Sequence, residues 1–548
     1  MFRDHLITLA LICLSGLAQG QWSFSWAIHS EEVNEAQATD CAVAMDGSIS
    51  VIGGYADDLD LDTFHVSETS AGLYGFLAQY DAIGEFQWAH VLATTFWPDP
   101  LGSAVPAGVA VDALGNAFIG GHYGDSLVMD GTILLSNPDS VYQHSHVFYV
   151  LKFDPSGSLL WAKTISSAPN FALLSGVALD PQGDIIVAAN EGDQSASIIK
   201  LSGGDGTELF HISTTGSEAQ LNAVGTDDLG NIYFSGASFG PSSFTFGGMT
   251  CPFNSSLGPG VPSQFAGKLD PTGSPLWFHV PNQGGQGWSD LAGIDEHRMA
   301  VTSAGFSFLL IKHPSLINGD TIGLGYQRIG MYCLDPMGNP IFARDLVAAG
   351  WVQISSLTCT TGGDVLLVGC SYGDSTALVE GPLNGSSVGS TLFLARYDGA
   401  GALTGLQSGP VGTGFSYING VDVNMAGDPV VCGTLAYDND IVLGPDTLIC
   451  SWDMFLASMD PGPITLDVPS YHPREHFFTS PSPASDLLLV EGLLADRMLV
   501  ISDLVGRTWY EKVVHASIMS IDVAAWPNGK YLIRQQGSVA IGSLLVIH

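Results

Sequence analysis

Short apolar segments separated by turn residues recur along most of the chain. When these segments are aligned, an apolar strand, a turn close to Asp-x-x-Gly and a second apolar strand recur seven times. The copy at residues 108–121 reads GVAVDALGNAFIGG. The other copies occupy residues 41–54, 176–189, 223–236, 291–304, 357–369 and 420–433. Apolar segments bounded by Gly, Pro, Asn and Asp are typical of β-hairpins, so the pattern predicts seven hairpins.

A second phrase follows most copies of the first and predicts another hairpin, which ends near a Trp or another large apolar residue. Residues 148–162 read FYVLKFDPSGSLLWA. Related phrases occupy residues 76–89, 197–210, 265–278, 331–343 and 393–405. Two hairpins per repeat predict a four-stranded sheet. Trp88, Trp161 and Trp277 share one repeat position, which favours packing over ligand stacking.

The two ends of the repeat region complement each other. The seventh repeat stops at residues 454–460 without a fourth strand, whereas residues 24–30, FSWAIHS, read as a fourth strand without a preceding hairpin. Pairing the two closes a ring and protects the sheet edges. Trp26 should then take the position that Trp88 and Trp161 take in their repeats. The sequence therefore predicts an all-β fold in which an N-terminal strand completes the last sheet.

The repeats resemble those of secreted bacterial β-propellers of the NHL-like kind, in which DxxGNxYVTG is followed by DAFVAKLDPSGxLLW. The match is best at residues 112–121 and 148–161, and the resemblance covers residues 21–463. It implies a seven-bladed β-propeller over that range. It implies no particular function, because propellers include binding proteins, hydrolases and lyases.

The repeats stop near residue 463, and residues 464–479 read as a linker. The phrases SPSPASDLLLV, LVISDLVGRTWYE and SIDVAAWPNGKYLIRQQ follow within residues 480–548. They resemble the type A sorting domain of the type IX secretion system, which implies an immunoglobulin-like β-sandwich recognised by the secretion machinery. Ser482 stands where that family usually has Asn, and an ordinary β-sandwich is the alternative. The residues matching the sorting motif are Pro481, Pro483, Asp503, Gly506, Gly529 and Tyr531.

Residues 1–20 have the features of a signal peptide. Arg3 precedes an apolar stretch from Leu6 to Ala18, and Ala18 and Gly20 offer small residues for cleavage. No later apolar run approaches the ~20 residues that a transmembrane helix needs. Together with the sorting resemblance, this predicts a protein that is secreted or displayed at the outer-membrane surface.

The charge of the chain limits the classes of partner it can bind, and its cysteine content indicates whether disulfides form. The chain has 16 Lys and Arg against 54 Asp and Glu, a formal net charge of −38, which disfavours nucleic acid as a partner. Removal of Cys13 with the signal leaves an odd number of irregularly spaced cysteines, most of them in apolar segments. A bridge between Cys432 and Cys450 is one alternative, and buried free thiols are the favoured one.

Several polar or aromatic residues are candidates for ligand or metal contacts. The turns should share one face of the ring and the variable connections the other, and insertions on one face often mark a binding surface. Trp97 and Trp288 lie in such connections and are candidates for stacking on a sugar. The acidic residues Asp57, Asp58, Asp60 and Asp62 are a candidate Ca²⁺ site, with solvated outward carboxylates favoured instead. No cofactor is predicted to be required.

Five Asp-Ser/Thr-aliphatic triplets fall in the variable connections. They resemble the O-glycosylation signal of secreted Bacteroidota proteins, although Asp-Ser and Asp-Thr are also ordinary turn pairs. The candidate acceptors are Ser126, Ser140, Thr321, Ser375 and Thr447.

No catalytic constellation stands out in the sequence. The favoured function is therefore a non-enzymatic surface or secreted protein that binds polysaccharide or another surface component. The alternatives are a carbohydrate-active hydrolase or lyase with carboxylates near the central channel, and a passive structural protein of a surface layer.

Overall fold

In the computed structural model the described residues form strands and turns, in two compact units within Ala18–Leu466 and Asp467–His548. The structure describes residues 24–30, 36–56, 58–67, 73–94, 104–137, 147–165, 173–191, 195–216, 219–238, 243–251, 263–280, 282–283, 299–312, 315–317, 320–322, 329–378, 381–383, 389–411, 416–435, 439–443, 446–450, 453–459, 478–480, 485, 487–491, 497–503, 507–515, 518–535 and 541–546.

The repeats form antiparallel sheets, which we number 1 to 7 in the order of their first strands. Sheet 1 contains Gln37–Val43, Ile49–Ala56, Leu73–Tyr80 and Phe86–Thr94; sheet 2, Pro106–Val111, Ala117–Tyr123, Val147–Phe153 and Leu159–Ile165; sheet 3, Leu173–Leu179, Ile185–Asn190, Ala196–Leu201 and Glu208–Thr215; sheet 4, Ala219–Thr226, Ile232–Ser238, Ser263–Leu269 and Pro275–His279. Sheet 5 contains Met299–Val301, Ser307–Lys312, Ile329–Leu334 and Pro340–Asp345; sheet 6, Val347–Cys359, Val365–Leu378, Ser390–Tyr397 and Leu403–Val411, with Gly381–Pro382 beside its second strand; sheet 7, Tyr417–Val423, Pro429–Leu435, Asp453–Met459 and Phe24–His29.

Most of the turns that join first to second strands and third to fourth strands share one geometry. In the turn at Asp112, the carboxylate Oδ1 accepts the N–H groups of Leu114 and Asn116, both at 2.9 Å. Gly115 has a φ of 79°, a conformation that costs glycine little, and its N–H donates to the carbonyl of Asp112 at 2.9 Å. Asp recurs because a side-chain acceptor at the first position satisfies the N–H groups of the turn, although the turn at Ala44 has none there, and Gly recurs because its position has a positive φ.

The first strands of sheets 1 to 7 contact one another in sequence, and the first strand of sheet 7 contacts that of sheet 1. The N-terminal strand Phe24–His29 pairs antiparallel with Asp453–Met459, which places Trp26 opposite Ser458. The predicted pairing of residues 24–30 with the last strand of the seventh repeat is confirmed. The architecture of this unit is all-β and propeller-like.

The fourth strands of sheets 1 to 5 and 7 each place one aromatic side chain against the second turn of the following sheet. The indole N–H of Trp88 donates to the carbonyl of Pro155 at 3.0 Å, and that of Trp26 donates to Ala82 at 3.3 Å. A Cβ on Gly157 would lie 2.8 Å from the Trp88 ring, and one on Gly84 would lie 2.6 Å from the Trp26 ring. These tryptophans are half-buried and join neighbouring sheets, as their shared repeat position predicted.

Two connecting hairpins extend the sheet that precedes their own. Ser126–Met129 pairs with Thr132–Ser136 and with the fourth strand of sheet 1. Phe244–Phe246 pairs with Met249–Cys251 and with the fourth strand of sheet 3. Each hairpin pairs backbone groups that an edge strand would otherwise leave open. Some variable connections therefore cover sheet edges, a role that the repeat pattern does not indicate.

His90 strengthens the first of these contacts. Its Nδ1 lies 2.6 Å from the Asp130 carboxylate, and its Nε2 lies 2.8 Å from the carbonyl of Gly157. Burial lowers the pKa of His90, but the hydrogen bonds to Asp130 and Gly157 outweigh it, so the pKa is raised overall. Both neighbours are acceptors, so the doubly protonated imidazolium satisfies both contacts.

Shorter strands lie in the remaining connections. They are Asp58–Leu61, Phe64–Ser67, Asn282–Gln283, Ser315–Ile317, Asp320–Ile322, Asn439–Leu443 and Asp446–Cys450.

The C-terminal unit has two antiparallel sheets. One contains Phe478–Ser480, Leu487–Glu491 and Ile518–Asp522; the other contains Thr508–Val514, Arg497–Asp503, Gly529–Gln535 and Ile541–Val546. Leu488 and Ile521 from the first sheet share a core with Ile501 and Ile533 from the second. Alternate residues of these strands face inward, as the burial of Leu499 and Ile501 shows, and this accounts for the two-sheet core.

Candidate ligand-binding site on the first strands of sheets 6 and 7

Antiparallel topology places the starts of the first strands together, at the end of the ring opposite the Asp turns. Sheet 6 differs from its neighbours there, because its first two strands, Val347–Cys359 and Val365–Leu378, extend beyond the usual repeat. Register shifts at residues 347–349 and 349–351 mark this extension, and Gly350 has a φ of 76°. The extension carries an exposed aromatic residue, Trp351, whose relative accessibility is 52%.

Trp351 belongs to a cluster of aromatic and amide side chains. It lies directly opposite Tyr372 in the sheet, and Gln353, two residues further along, lies on the same face. The Tyr372 hydroxyl donates to Gln353 Oε1 at 3.3 Å and accepts from the Cys370 thiol at 3.2 Å. Tyr372 and Tyr417 of sheet 7 both pack against the core between sheets 6 and 7. We call Trp351, Gln353, Tyr372 and Tyr417 the aromatic cluster.

The chemistry of the aromatic cluster suits an uncharged polar ligand. Burial raises the pKa of Tyr372 far above its usual range, and the neighbouring Cys370 and Tyr417 raise it further, so its phenol stays neutral. Half-buried tyrosines held by hydrogen bonds give a rigid base, and the exposed Trp351 indole offers an open ring face. Such a surface combines apolar stacking area with hydroxyl and amide groups.

Other side chains at the starts of first strands are also accessible. Gln37 of sheet 1 and Gln220 of sheet 4 are exposed, and Leu173 of sheet 3 has a relative accessibility of 48%. These positions extend the accessible surface around this end of the ring. Neither they nor Trp351 were identified from the sequence, because nothing in the repeat pattern distinguishes them.

Two carboxylates come together where sheets 7 and 1 meet. Asp422 Oδ2 accepts the N–H of Val43 at 2.8 Å, and its Oδ1 accepts the N–H of Val423 at 2.8 Å. Asp40 accepts the N–H groups of Cys41 at 2.9 Å and Val109 at 3.3 Å. Burial raises the pKa of Asp422 to about 6, backbone N–H donors oppose this, and Asp40 adds to it. Because backbone donors engage both oxygens of each group, the pair is arranged to link sheets.

The acidic run proposed for Ca²⁺ is only partly described. Asp58 and Asp60 lie on a short strand, where Asp60 contacts His65 at 3.1 Å, and Asp62 has a φ of 55° in the following turn. Asp57 lies outside the described residues. Within the part of the chain that the structure describes, no group of three or more metal-ligating side chains converges.

Several of the residues predicted to bind a ligand, carry a glycan or form the sorting motif lie outside the described residues. Trp97, Trp288, Ser140, Pro481, Pro483 and Gly506 are among them. Thr321, Ser375 and Thr447 lie on strands whose side chains at these positions are not described. Ser126 is half-buried and pairs with Ser136 in its hairpin. The sugar-stacking role proposed for Trp97 and Trp288 thus stays a prediction.

The described residues of the sorting motif occupy structural positions in the C-terminal unit. Asp503 accepts the backbone N–H of Arg507 at 2.9 Å and the indole N–H of Trp509 at 3.2 Å. The Arg507 guanidinium lies 4.7 Å from the centre of the Trp509 ring. The hydroxyl of Tyr531 donates to the carbonyl of Pro527 at 2.8 Å, and Gly529 begins the strand that holds Tyr531.

Comparison with known proteins yields fold-level similarity alone. No protein-family model and no curated protein matches the chain. A gluconolactonase from Xanthomonas campestris is 15% identical, with 58% of this chain and 82% of that chain covered and a TM-score of 0.28. Sqt1 from Chaetomium thermophilum is 10% identical, with coverages of 80% and 98% and a TM-score of 0.37. PorZ, a surface component of the type IX secretion system of Porphyromonas gingivalis, is 10% identical, with coverages of 95% and 100% and a TM-score of 0.16.

These low scores carry no argument about activity or partners. Among the described residues, no helix has the length and apolar character needed to cross a membrane.

Proposed function

We propose that this chain is a secreted or surface-displayed seven-bladed β-propeller that binds an uncharged polysaccharide through the aromatic cluster. The observation that carries the proposal is the exposed Trp351 opposite Tyr372, which packs with Tyr417 against the core between sheets 6 and 7, at the end of the ring opposite the Asp turns. The contacts among the first strands of the seven sheets support the blade count. A formal charge of −38 disfavours anionic ligands, and aromatic faces with amide groups suit neutral sugars.

Binding of the full-length protein to a neutral β-linked glucan and to an anionic polysaccharide tests this proposal. We expect retention on the neutral polymer alone and at least about a tenfold weaker affinity for Trp351→Ala, since exposed Trp anchors often dominate binding energy. Trp351→Phe should retain most of the affinity. Met337→Ala is the matched control, because Met337 is 75% exposed in a turn on the opposite face.

Equal binding by Trp351→Ala and Met337→Ala would remove the aromatic cluster from the site. Failure to retain the wild-type protein on any neutral polysaccharide would overturn the ligand class. Release of soluble products from a bound polymer would show an enzyme rather than a binding protein.

We also propose that residues 480–548 are an immunoglobulin-like sorting domain read by the type IX secretion machinery. The two-sheet core and the turn built around Asp503 and Arg507 support this proposal. Deleting residues 464–548 should leave the propeller in the periplasm, measured by cell fractionation against the full chain. Normal release of the truncated protein would overturn the proposal.

The propeller is proposed to fold without calcium, because the acidic run occurs in one repeat. Chelation with EDTA should leave the melting temperature unchanged. A steep fall on chelation would contradict this.

A further inference from the structure

Two cysteine thiols lie together where sheet 7 meets sheet 1, a contact that we call the seam. Cys41 belongs to the first strand of sheet 1, and Cys432 to the second strand of sheet 7. Their relative accessibilities are 4% and 0%, and both pack in the core that spans the two sheets. The Cys41 thiol donates to the carbonyl of Val430 at 3.9 Å, two residues before Cys432 on the same strand, so the two cysteines are neighbours although 391 positions separate them in the chain.

The backbone at Gly420 permits this approach. Gly420 pairs with Cys432 within sheet 7. A Cβ at Gly420 would lie 2.8 Å from Cys432 Sγ, 3.0 Å from the Cα of Asp40 and 3.1 Å from the N of Cys41. The backbones of sheets 7 and 1 thus approach each other closely beside the two cysteines, as a disulfide between them requires.

Other described thiols have different neighbours. Cys370 donates to the hydroxyl of Tyr372 at 3.2 Å, and Cys333 contacts the carbonyl of Leu334 at 3.8 Å. Cys251 lies on the connecting hairpin at the edge of sheet 3. Cys333 and Cys359 share the core between sheets 5 and 6. Cys41 and Cys432 are therefore distinguished by their place at the seam and by the close backbone approach at Gly420.

We propose that Cys41 and Cys432 are a disulfide-forming pair that covalently closes the ring at the seam. This rests on the export inferred under Proposed function, because disulfides persist in oxidising compartments. Sheets 1 and 7 lie at opposite ends of the repeat region, so a bond here links the two elements whose separation would open the ring. A disulfide that closes so long a loop restricts the unfolded chain strongly.

The oxidant is a small-molecule disulfide such as oxidised glutathione. One cysteine thiolate attacks it and forms a mixed disulfide, which releases the first small thiol. The second cysteine thiolate then displaces the second small thiol and forms the Cys41–Cys432 bond, so the two electrons lost by the protein thiols reduce the oxidant. Both thiols are enclosed in the closed ring, so the exchange takes place before sheet 7 packs against sheet 1.

The test uses full-length protein from two sources, an exporting host and cytoplasmic protein refolded with oxidised glutathione. Free thiols are alkylated under denaturing conditions, and peptides are analysed by mass spectrometry before and after reduction. We expect a peptide pair linked through Cys41 and Cys432 in both samples, with Cys251 alkylated without reduction. The oxidised protein should melt several degrees higher than the reduced protein, and Cys432→Ser should melt like the reduced form with no redox dependence.

Absence of the link in the refolded sample would overturn the pairing. Its presence there, with free Cys41 and Cys432 in the sample from the exporting host, would support the pairing and contradict export to an oxidising compartment. A link in both samples that leaves the melting temperature unchanged would contradict the role in ring closure.

Discussion

The contact between sheets 3 and 4 contains a buried ion pair, whereas the seam between sheets 7 and 1 is joined by hydrogen bonds to backbone groups. In the first, Lys200 lies 2.6 Å from Asp180 and 3.5 Å from Asp184, and it donates to the carbonyl of Pro271 in sheet 4 at 3.4 Å. At the seam the position equivalent in register holds Ser458.

The seam instead relies on Trp26 and on the Asp422 carboxylate, which accepts the N–H of Val43 across the sheets. Lys152 and Lys268 repeat the lysine arrangement, donating to Gly203 at 2.8 Å and Pro336 at 3.1 Å. Sheets 2, 3 and 4 therefore each have a buried lysine that pairs with an Asp and also donates to a backbone carbonyl of the next sheet. At the seam, the strand Phe24–His29 and the hydrogen bonds from Trp26 and to Asp422 link the sheets instead.

The largest expected effect is loss of the N-terminal strand. Deleting residues 21–30 exposes the edge of Asp453–Met459 and removes the Trp26 contact. We expect aggregation or loss of the cooperative unfolding transition, because an open edge pairs readily with other chains. Thermal unfolding and light scattering provide the measurement. A monomeric truncated protein that melts like wild type would show that the seam does not need this strand.

Lys200→Ala should cost about 3–5 kcal/mol of unfolding free energy, because it leaves Asp180, whose side chain is 0% exposed, without its cation. Ser458→Ala, the register-equivalent change at the seam, should cost about 1 kcal/mol or less. Chemical denaturation of the two variants gives the comparison. Equal costs would mean that the two contacts do not differ as described.

Asp422 should make the seam weaker as the pH rises. Its folded pKa of about 6 lies above the ordinary value for Asp, so the stability it contributes is fully present below about pH 4 and is lost as the pH rises through about 6. The cost of Asp422→Asn should therefore shrink by about 2–3 kcal/mol between pH 4 and pH 7. Unfolding free energies of both proteins across this range test it, and a constant difference would contradict the raised pKa.

Trp26→Ala should cost about 2 kcal/mol, less than a fully buried Trp, because the ring is half-buried against Gly84. Trp161→Ala, which removes the equivalent contact to Gly203, should cost a similar amount. Trp26→Phe should retain most of the packing and lose the hydrogen bond to Ala82. Denaturation curves that show a large cost for Trp161 and none for Trp26 would place ring closure elsewhere.

The smallest effect is expected outside these contacts. Trp351→Ala should change stability by about 0.5 kcal/mol or less, because the side chain is 52% exposed on the extension of sheet 6. A large loss of stability would show that Trp351 supports the fold rather than a ligand.

The sequence by itself determined the repeating hairpins and the pairing of the two ends of the repeat region. The Asp and Gly found in most turns act within five residues, and the apolar strands have a local pattern, so both can be predicted without the fold. The position of Trp26 followed from the same alignment and needed no knowledge of distant contacts.

Only the tertiary structure decided which groups meet across sheets. Tyr372 and Tyr417, Lys200 and Pro271, and Cys41 and Cys432 are brought together by the order of strands around the ring. The lysine at residue 200 looks like any charged residue in a strand until Asp180 is seen beside it. Contacts between distant residues depend on the register and packing of several sheets at once, and a single sequence records each partner without recording that they are neighbours.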